Sequence, residues 1–267
     1  MKAKTTTASR RGASRRGASG AAAWVIALAV AGASASGCVG ERSFYISQNQ
    51  VPERSGETCV VPATRTSVYR GAGVLDVRAA QLGLAPIRAG YTLYPLLVNG
   101  FAPTANDDKQ PERNAIMVQG FEVELDLGPW SGAGVPVELT SFSVPFGKRM
   151  EPGAEAGTAV DVISGSLARY LAPIVAGTPE AATLTTGPVV KATVRAYGDH
   201  NGVRVESYDF VYPITLCSGC LVQELAECPT PGGSTVLQPS LCGDPQDGSV
   251  SCCRHPSLGF TCLAGAN

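Results

Sequence analysis

The chain of 267 residues lacks the motifs on which many enzyme families depend. It has only two histidines, His200 and His255, and charged residues make up only 16% of its length. It contains no G-x-S-x-G nucleophile motif, no H-E-x-x-H zinc motif and no glycine-rich phosphate-binding loop. His200 falls in a predicted turn, where a solvated side chain is expected. We therefore predict no catalytic residue, no bound metal and no cofactor.

Long hydrophobic runs are also missing from the chain. The clearest apolar run, Ala21–Ala33, has 13 residues, whereas a membrane-spanning helix needs about 20. Six basic residues and no acidic one occur in the first twenty positions before this run. A basic start followed by a short apolar run and small residues is typical of a secretory signal peptide, which we assign to residues 1–37. An N-terminal transmembrane anchor is the alternative.

The apolar run ends in "ASGC", residues 35–38. This segment resembles the lipobox of bacterial lipoproteins, in which small residues precede a cysteine that is lipidated and becomes the new N-terminus. The resemblance implies that Cys38 is acylated, that residues 38–58 begin with the lipid and form a tether, and that the protein lies in the outer membrane of the cell envelope. Ordinary cleavage after "ASA", residues 33–35, is the alternative, and the "SRR" pairs near the start give a weak signal for twin-arginine export.

The charge balance changes once residues 1–37 are removed. Six of the 21 basic residues lie in that segment, which leaves 15 basic residues, 22 acidic residues and a net charge of −7. A negative charge of this size weighs against a nucleic-acid binder. The predicted partners are the membrane, through the N-terminal lipid, and an unidentified envelope protein or glycan.

Cysteine is the most informative residue type in this chain. If Cys38 is lipidated, eight cysteines remain, and an even number in an exported chain predicts a disulfide framework. Seven of the eight lie between residues 217 and 262, and seven cannot pair among themselves, so Cys59 must bond to one of them. We expect its partner to be Cys217, Cys220 or Cys228. The predicted disulfide residues are Cys59, Cys217, Cys220, Cys228, Cys242, Cys252, Cys253 and Cys262.

Alternating apolar residues predict a β-rich domain over residues 59–216. In "GFEVELDLG" the apolar positions Phe121, Val123 and Leu125 alternate with acids, which indicates a strand buried on one face. Further strands are expected at 44–47, 91–101, 135–144, 189–197 and 203–214, with a bulge or sheet edge at Pro95. Asn201-Gly202 predicts a hairpin turn, and residues 164–171 a short helix that ends before Pro173. The pattern favours an immunoglobulin-like antiparallel β-sandwich with a short crossover helix, and a β-barrel is the alternative.

Residues 217–267 have a different character, with short cysteine spacings, many turns and few apolar runs. We predict a small disulfide-rich C-terminal module here, with one helical segment at residues 221–228. The acidic stretches Asp107-Asp108 and 244–248 match no EF-hand loop, and turn formation explains them without calcium.

The motif "CSGC", residues 217–220, permits three interpretations. Its two cysteines can take part in structural disulfides with other cysteines of the framework. They can be a thiol-disulfide redox pair, because a C-x-x-C at a helix N-terminus has a lowered thiol pKa, or they can bind zinc together with Cys252, Cys253 and His255. Structural disulfides are the preferred interpretation. The sequence thus predicts a non-catalytic binding or structural module, with a redox protein or a carrier of lipid or small ligands as alternatives.

Overall fold

A computed structural model describes residues 43–55, 58–78, 90–104, 112–183, 187–225, 246–248, 250–255 and 259–263. The predicted signal peptide and Cys38, Asp107-Asp108, Cys228 and Cys242 lie outside these residues. None of the helices within these ranges is long and apolar enough to cross a membrane. The strands of the described residues are, in chain order, β1 Phe44–Gln50, β2 Glu53–Ser55, β3 Thr58–Val60, β4 Tyr69–Arg70, β5 Gly73–Asp76, β6 Tyr91–Leu93, β7 Pro95–Asn99, β8 Ile116–Asp126, β9 Ser141–Met150, β10 Glu155–Gly157, β11 Val160–Ile163, β12 Val189–His200, β13 Val203–Glu206, β14 Phe210–Cys217, β15 Val222–Leu225, β16 Val250–His255 and β17 Gly259–Leu263.

Two larger sheets form a β-sandwich. One has the strand order β10-β7-β1-β4, and the other has the order β5-β14-β12-β8-β9 with β13 added beside β12. Smaller sheets pair β6 with β11, β2 with β3, and β15 with β16 and β17. Apolar residues of both large sheets and of the one α-helix in the described ranges share one core. The predicted mainly β class with a short helix is confirmed, and the pairing of β5 with β14 is parallel rather than antiparallel.

Strand β8 has the alternation that the sequence predicts. Phe121 and Val123 are fully buried and Leu125 is 9% exposed. Glu124 and Asp126 point to solvent and Glu122 is half-buried. Strand β8 lies between β12 and β9, so its apolar face is fixed by neighbours on both sides. This placement makes β8 an interior strand of the larger sheet.

The predicted strand at residues 91–101 is two strands in different sheets. β6 pairs with β11, and β7 pairs with β1 and β10. Pro95 is the first residue of β7, the place in a strand where a missing backbone N–H is tolerated. The chain therefore changes sheets at Tyr94, where the sequence predicts only a bulge or a sheet edge.

Two predicted strands have different bounds in the structure. Within residues 135–144, Val137–Leu139 form a short 3-10 helix after Pro136, and β9 begins only at Ser141. Proline has no N–H for a sheet ladder, and Val137 is 72% exposed, so its alternation with Val135 and Leu139 does not mark a buried strand. Residues 203–214 divide into β13 and β14, both of which pair with β12.

The hairpin between β12 and β13 turns where the sequence predicts. Asn201 has φ 54° and Gly202 has φ 80°, the left-handed conformations that a two-residue hairpin turn requires. His200 pairs with Val203 at the ends of the two strands.

The α-helix, α1, spans Gly165–Ala176 and is longer than predicted. The Ser164 hydroxyl accepts a hydrogen bond from the Leu167 N–H and caps the N-terminus. Pro173 lies inside the helix rather than after its end. Val175, two residues later, is fully buried, as are Leu171 and Ala172. Packing of these side chains against the core offsets the backbone hydrogen bond that Pro173 cannot donate.

The two ends of the described chain differ from the sequence predictions. β1 extends three residues beyond the predicted Phe44–Ser47 and lies between β7 and β4, with Phe44 buried. The prediction that residues 38–58 form a tether is therefore wrong for residues 44–50, which belong to the sandwich. Residues 222–225 are β15, which pairs parallel with β16, and not part of a helix. Parallel pairing to a distant strand overrides the local helical spacing, as tertiary context often does.

Candidate functional site: the Cys217–Cys220 loop and its surroundings

The C-x-x-C motif forms a closed disulfide loop at the end of β14. Cys217 and Cys220 are bonded to each other, with their Cα atoms 5.8 Å apart. Cys217 pairs in register with Asp76 of β5 and is fully buried, whereas Cys220 is partly exposed. Any reagent that reaches this disulfide therefore meets Cys220 first.

The carboxylate of Asp76 holds the backbone of this loop. Its Oδ1 accepts hydrogen bonds from the N–H of Gly219 at 2.8 Å and of Arg78 at 3.0 Å, and its Oδ2 accepts one from the N–H of Leu221 at 2.8 Å. Asp76 is 1% exposed. Gly219 has φ 85°, a conformation that side chains disfavour. The loop is fixed by a buried carboxylate on one side and by a glycine turn on the other.

The same cluster bears on the metal interpretation. One carboxylate oxygen of Asp76 and the sulfurs of Cys217 and Cys220 lie within 4.8 Å of one another. Thiolates bind metals, whereas these two sulfurs are bonded to each other. Cys253, a third member of the predicted zinc set, is also disulfide-bonded. The three cysteines of the predicted zinc set whose side chains are described thus form disulfides, which leaves no thiolate among them for a zinc ion.

The surroundings of the loop also bear on redox chemistry. The helix predicted after Cys220 is replaced by strand β15, so the loop has no helix N-terminus that would lower a thiol pKa. The Asp76 carboxylate lies beside the pair, and a like charge disfavours a thiolate, although the Arg78 guanidinium also approaches the loop at Gly219. Cys217 Sγ also lies 3.8 Å from the carbonyl oxygen of Leu75. The site stabilises a closed disulfide more than a reactive thiolate.

A second polar cluster lies where residues 246–248 meet the sandwich. The Asp247 carboxylate accepts hydrogen bonds from the Val74 N–H and Arg70 Nη1, both at 2.6 Å, and from Tyr91 Oη at 2.8 Å. Gln246 Oε1 accepts from the Thr92 N–H, and its Nε2 donates to the Thr92 carbonyl, both at 2.8 Å. The predicted acidic turn is thus bonded to the edges of β5 and β6. No local pattern in the sequence could have revealed these partners.

Burial controls the protonation of this second cluster. Burial raises the pKa of Asp247 above its ordinary value of 3.8, although Val74 and Arg70 oppose the change. Burial and the nearby Asp247 carboxylate raise the pKa of Tyr91. Burial also raises the pKa of Tyr212, whose hydroxyl lies 3.3 Å from that of Tyr91. Both tyrosines therefore remain neutral at physiological pH.

The outer face of the larger sheet carries a chain of ion pairs. Glu122 contacts Arg204 at 2.5 Å and Arg195 at 3.7 Å. Arg195 also binds Asp209 at 2.6 Å, and Arg204 binds Glu206 at 2.7 Å. The acid at position 122, predicted to face water, thus has two cationic partners, and this face is hydrated and rich in charge.

A cleft of about 350 Å³ lies at the opposite end of the sandwich from the disulfide loop. Its lining is mixed, with aromatic rings beside an arginine and a glutamate. Next to it, the rings of Phe101 and His200 stack with centroids 4.6 Å apart, so the ring of His200 is packed against a neighbour rather than merely solvated. The lining residues are Ser43, Phe44, Phe101, Arg204, Val205 and Glu206.

The predicted disulfide residues are only partly described. Cys59 is disulfide-bonded, but two of its three preferred partners, Cys217 and Cys220, are wrong because they bond to each other. Sulfurs three residues apart at a tight turn reach each other without help from the rest of the fold. Cys228, Cys242 and the side chains of Cys252 and Cys262 lie outside the described residues, and only the backbones of the last two are placed, opposite each other in β16 and β17.

A search with protein-family descriptions finds no matching family. A comparison with curated proteins finds no matching sequence. The function of this chain is therefore inferred from its own residues and their geometry.

Proposed function

We propose that this chain is a lipoprotein of the cell envelope, anchored through acyl chains on Cys38, whose β-sandwich is a binding or structural module without catalytic activity. One observation carries the proposal. Every cysteine whose side chain the structure describes is disulfide-bonded, namely Cys59, Cys217, Cys220 and Cys253. Such bonds persist in oxidising compartments and are rare in the cytosol, and they agree with the basic, apolar and "ASGC" segments at the N-terminus.

The charge-rich outer face of the larger sheet supports a binding role. Its ion pairs join Glu122, Arg195 and Arg204 in one charged network, which suits a polar partner better than a hydrophobic one. The partner would be a polar envelope component, either a protein or a glycan.

A redox protein is a second candidate, favoured by the accessible position of Cys220 within a C-x-x-C disulfide. Reduction would proceed by attack of a donor thiolate on Cys220 Sγ, which forms a mixed disulfide and releases Cys217 as a thiolate that takes up a proton. A second donor thiolate then attacks the donor sulfur of the mixed disulfide. Cys220 is released as a thiolate that takes up a proton, and the two donors leave joined by a disulfide. The released Cys217 sulfur is buried beside the Asp76 carboxylate, which makes it a poor leaving group.

A carrier of lipid or small ligands would need an apolar cavity. Ligand sites commonly measure about 300–1,000 Å³. The cleft at Phe44 and Phe101 is near the lower limit, and its lining includes Arg204 and Glu206. These properties favour the binding or structural module over the carrier.

The anchoring step is tested in a bacterial host by Cys38→Ala, with Ser36→Ala as the matched control. The control keeps a small residue at its position and the cysteine in place, so it should be processed and acylated normally. We expect an alkyne-labelled fatty acid to be incorporated into the wild type and the control but not into Cys38→Ala. Fatty acid labelling of Cys38→Ala, or none in the wild type, would refute the proposal.

A further inference from the structure

The chain enters the sandwich at one end, and a hairpin tip lies at the same end. The Ser43 carbonyl accepts a hydrogen bond from the Gly100 N–H at 2.5 Å. The ring of the next residue, Phe101, stacks on His200 at the end of β12. Ser43, Gly100, Phe101 and the hairpin tip 200–203 therefore form one end of the molecule, here named the entry end.

The entry end presents apolar side chains to solvent. Val203, at the hairpin tip, is 64% exposed, and Met117, opposite Asp199 in the sheet, is 46% exposed. The tip is held in place, because Asn201 Nδ2 donates a hydrogen bond to the Arg113 carbonyl at 2.7 Å. Val203 is therefore displayed on a fixed turn.

The disulfide loop lies at the other end of the same sheet. β8 has 11 residues and runs from Ile116, beside the hairpin, to Asp126. At about 3.3 Å per residue, the two ends of the strand are about 35 Å apart. Asp126 pairs with Lys191 of β12, whose first residue, Val189, pairs with Thr215 close to Cys217. We name this the disulfide end.

The linker between Cys38 and the fold is short. Ser43 follows Cys38 by five residues, which span at most about 18 Å when fully extended. If acyl chains hold Cys38 in a bilayer, the entry end must stay within that distance of the lipid surface. That distance is about half the length of the sandwich.

The sheet face is poorly suited to contact lipid. Glu122, Glu124 and Asp126 follow one another along the outer side of β8. Carboxylates at a membrane surface would lose hydration and would be repelled by anionic lipids. An upright orientation keeps them in water.

We infer that the entry end contacts the phospholipid bilayer, with Val203 at the level of the headgroups, and that the Cys217–Cys220 loop faces away from the membrane. The inference rests on the proposed acylation of Cys38. It adds the orientation of the sandwich and names the lipid surface as the partner of the hairpin tip.

Two tryptophan reporters test the orientation. Val203→Trp places the reporter at the entry end, and Val137→Trp places it at the disulfide end, where Val137 is 72% exposed and the neighbouring Thr140 carbonyl bonds to the Leu125 N–H. Both positions are exposed valines, so the control is matched in residue type and burial. Trp130 is 6% exposed and contributes the same background to both, and Trp24 lies in the predicted signal peptide.

Each full-length variant is expressed, purified from membranes and inserted into vesicles whose phospholipids carry bromine near the top of the acyl chain. We expect bromine to quench the emission of Val203→Trp several-fold more than that of Val137→Trp, with both proteins floating with the vesicles. Flotation with equal quenching of both reporters, or with stronger quenching of Val137→Trp, overturns the orientation but leaves the anchor intact. Failure of both variants to float overturns the anchor and the orientation together.

Discussion

The hydroxyl of Tyr91 donates a hydrogen bond to the carboxylate of Asp247 at 2.8 Å, across 156 residues of sequence. Arg70 and the Val74 N–H bind the same carboxylate. Residues near the C-terminus thus complete the polar edge of the sandwich, and this edge depends on a segment that looks like a surface turn in the sequence.

Replacing Asp247 by Ala should lower the free energy of unfolding. The change leaves Tyr91, Arg70 and the Val74 N–H without their shared acceptor, which costs about 1.5–3 kcal/mol. The control is Asp209→Ala, which removes an exposed ion pair with Arg195 and should cost about 1 kcal/mol or less. Urea denaturation of both variants measures the difference, and equal losses would show that the buried contacts contribute little.

The stability of the Asp247 cluster should depend on pH. Since burial raises the pKa of Asp247 above 3.8, the folded chain takes up a proton at this group at a higher pH than the unfolded chain does. As pH falls from neutral toward 3.8, the wild type should therefore gain stability relative to Asp247→Asn, and it should lose this gain as pH rises through the raised pKa. Denaturation midpoints across this range provide the measurement. A relative loss of stability at low pH would instead indicate a pKa depressed by Arg70.

The burial of β8 predicts a contrast between neighbouring residues. Leu125→Ala should cost about 2–5 kcal/mol because it leaves a cavity in the core. Glu124→Ala, on the solvent side of the same strand, should change stability by about 0.5 kcal/mol or less. Thermal or chemical denaturation distinguishes the two. Similar losses for both would contradict the placement of this strand.

The Asp76 carboxylate should protect the disulfide loop from reduction. Asp76→Asn removes the negative charge beside Cys217 and weakens the hydrogen bonds to Gly219 and Leu221, so dithiothreitol should open the Cys217–Cys220 bond faster. Asp126→Asn is the control, because its carboxylate lies exposed at the same end and bonds only locally, to the Gly128 N–H. The measurement is alkylation of the two cysteines followed by peptide mass spectrometry. Rapid reduction of the native wild type would favour the redox candidate.

Replacing Cys59 should free the thiol of its disulfide partner in the C-terminal part of the chain. Cys59→Ser should expose one new free thiol among Cys228, Cys242, Cys252, Cys253 and Cys262, because Cys217 and Cys220 bond to each other. A bridge to any of these closes a long loop and stabilises by roughly 5 kcal/mol in the chain-entropy model, less any strain. Thiol titration and a non-reducing peptide map check this. A bridge from Cys59 to Cys38 would contradict the lipidation of Cys38.

The features that the sequence predicts correctly are local ones. The period-two pattern of Phe121, Val123 and Leu125 predicts a strand with one buried face. Asn201-Gly202 predicts a hairpin turn, because few other residues adopt the backbone angles that this turn requires. The Cys217–Cys220 bond is also a short-range feature, but the sequence does not predict it, because Cys59 is expected to pair with Cys217, Cys220 or Cys228.

The features that the sequence misses arise from long-range contacts. Asp76 and Asp247 bind partners more than 140 residues away, and a carboxylate in a turn looks the same with or without such partners. Residues 222–225 have helical spacing, yet they form a strand because β16 pairs with them. The change of sheet at Tyr94 likewise depends on which strands lie alongside.

If Cys38 is the acylated N-terminus of the mature protein, the N-terminal peptide of the purified protein must carry the lipid. The protein is purified from the membrane fraction of a bacterial host, digested, and its N-terminal peptide is analysed by tandem mass spectrometry. We expect a peptide that begins at Cys38 and carries acyl chains on the cysteine. A mature N-terminus at Ser36, after the "ASA" site, with an unmodified or disulfide-bonded Cys38, would contradict it.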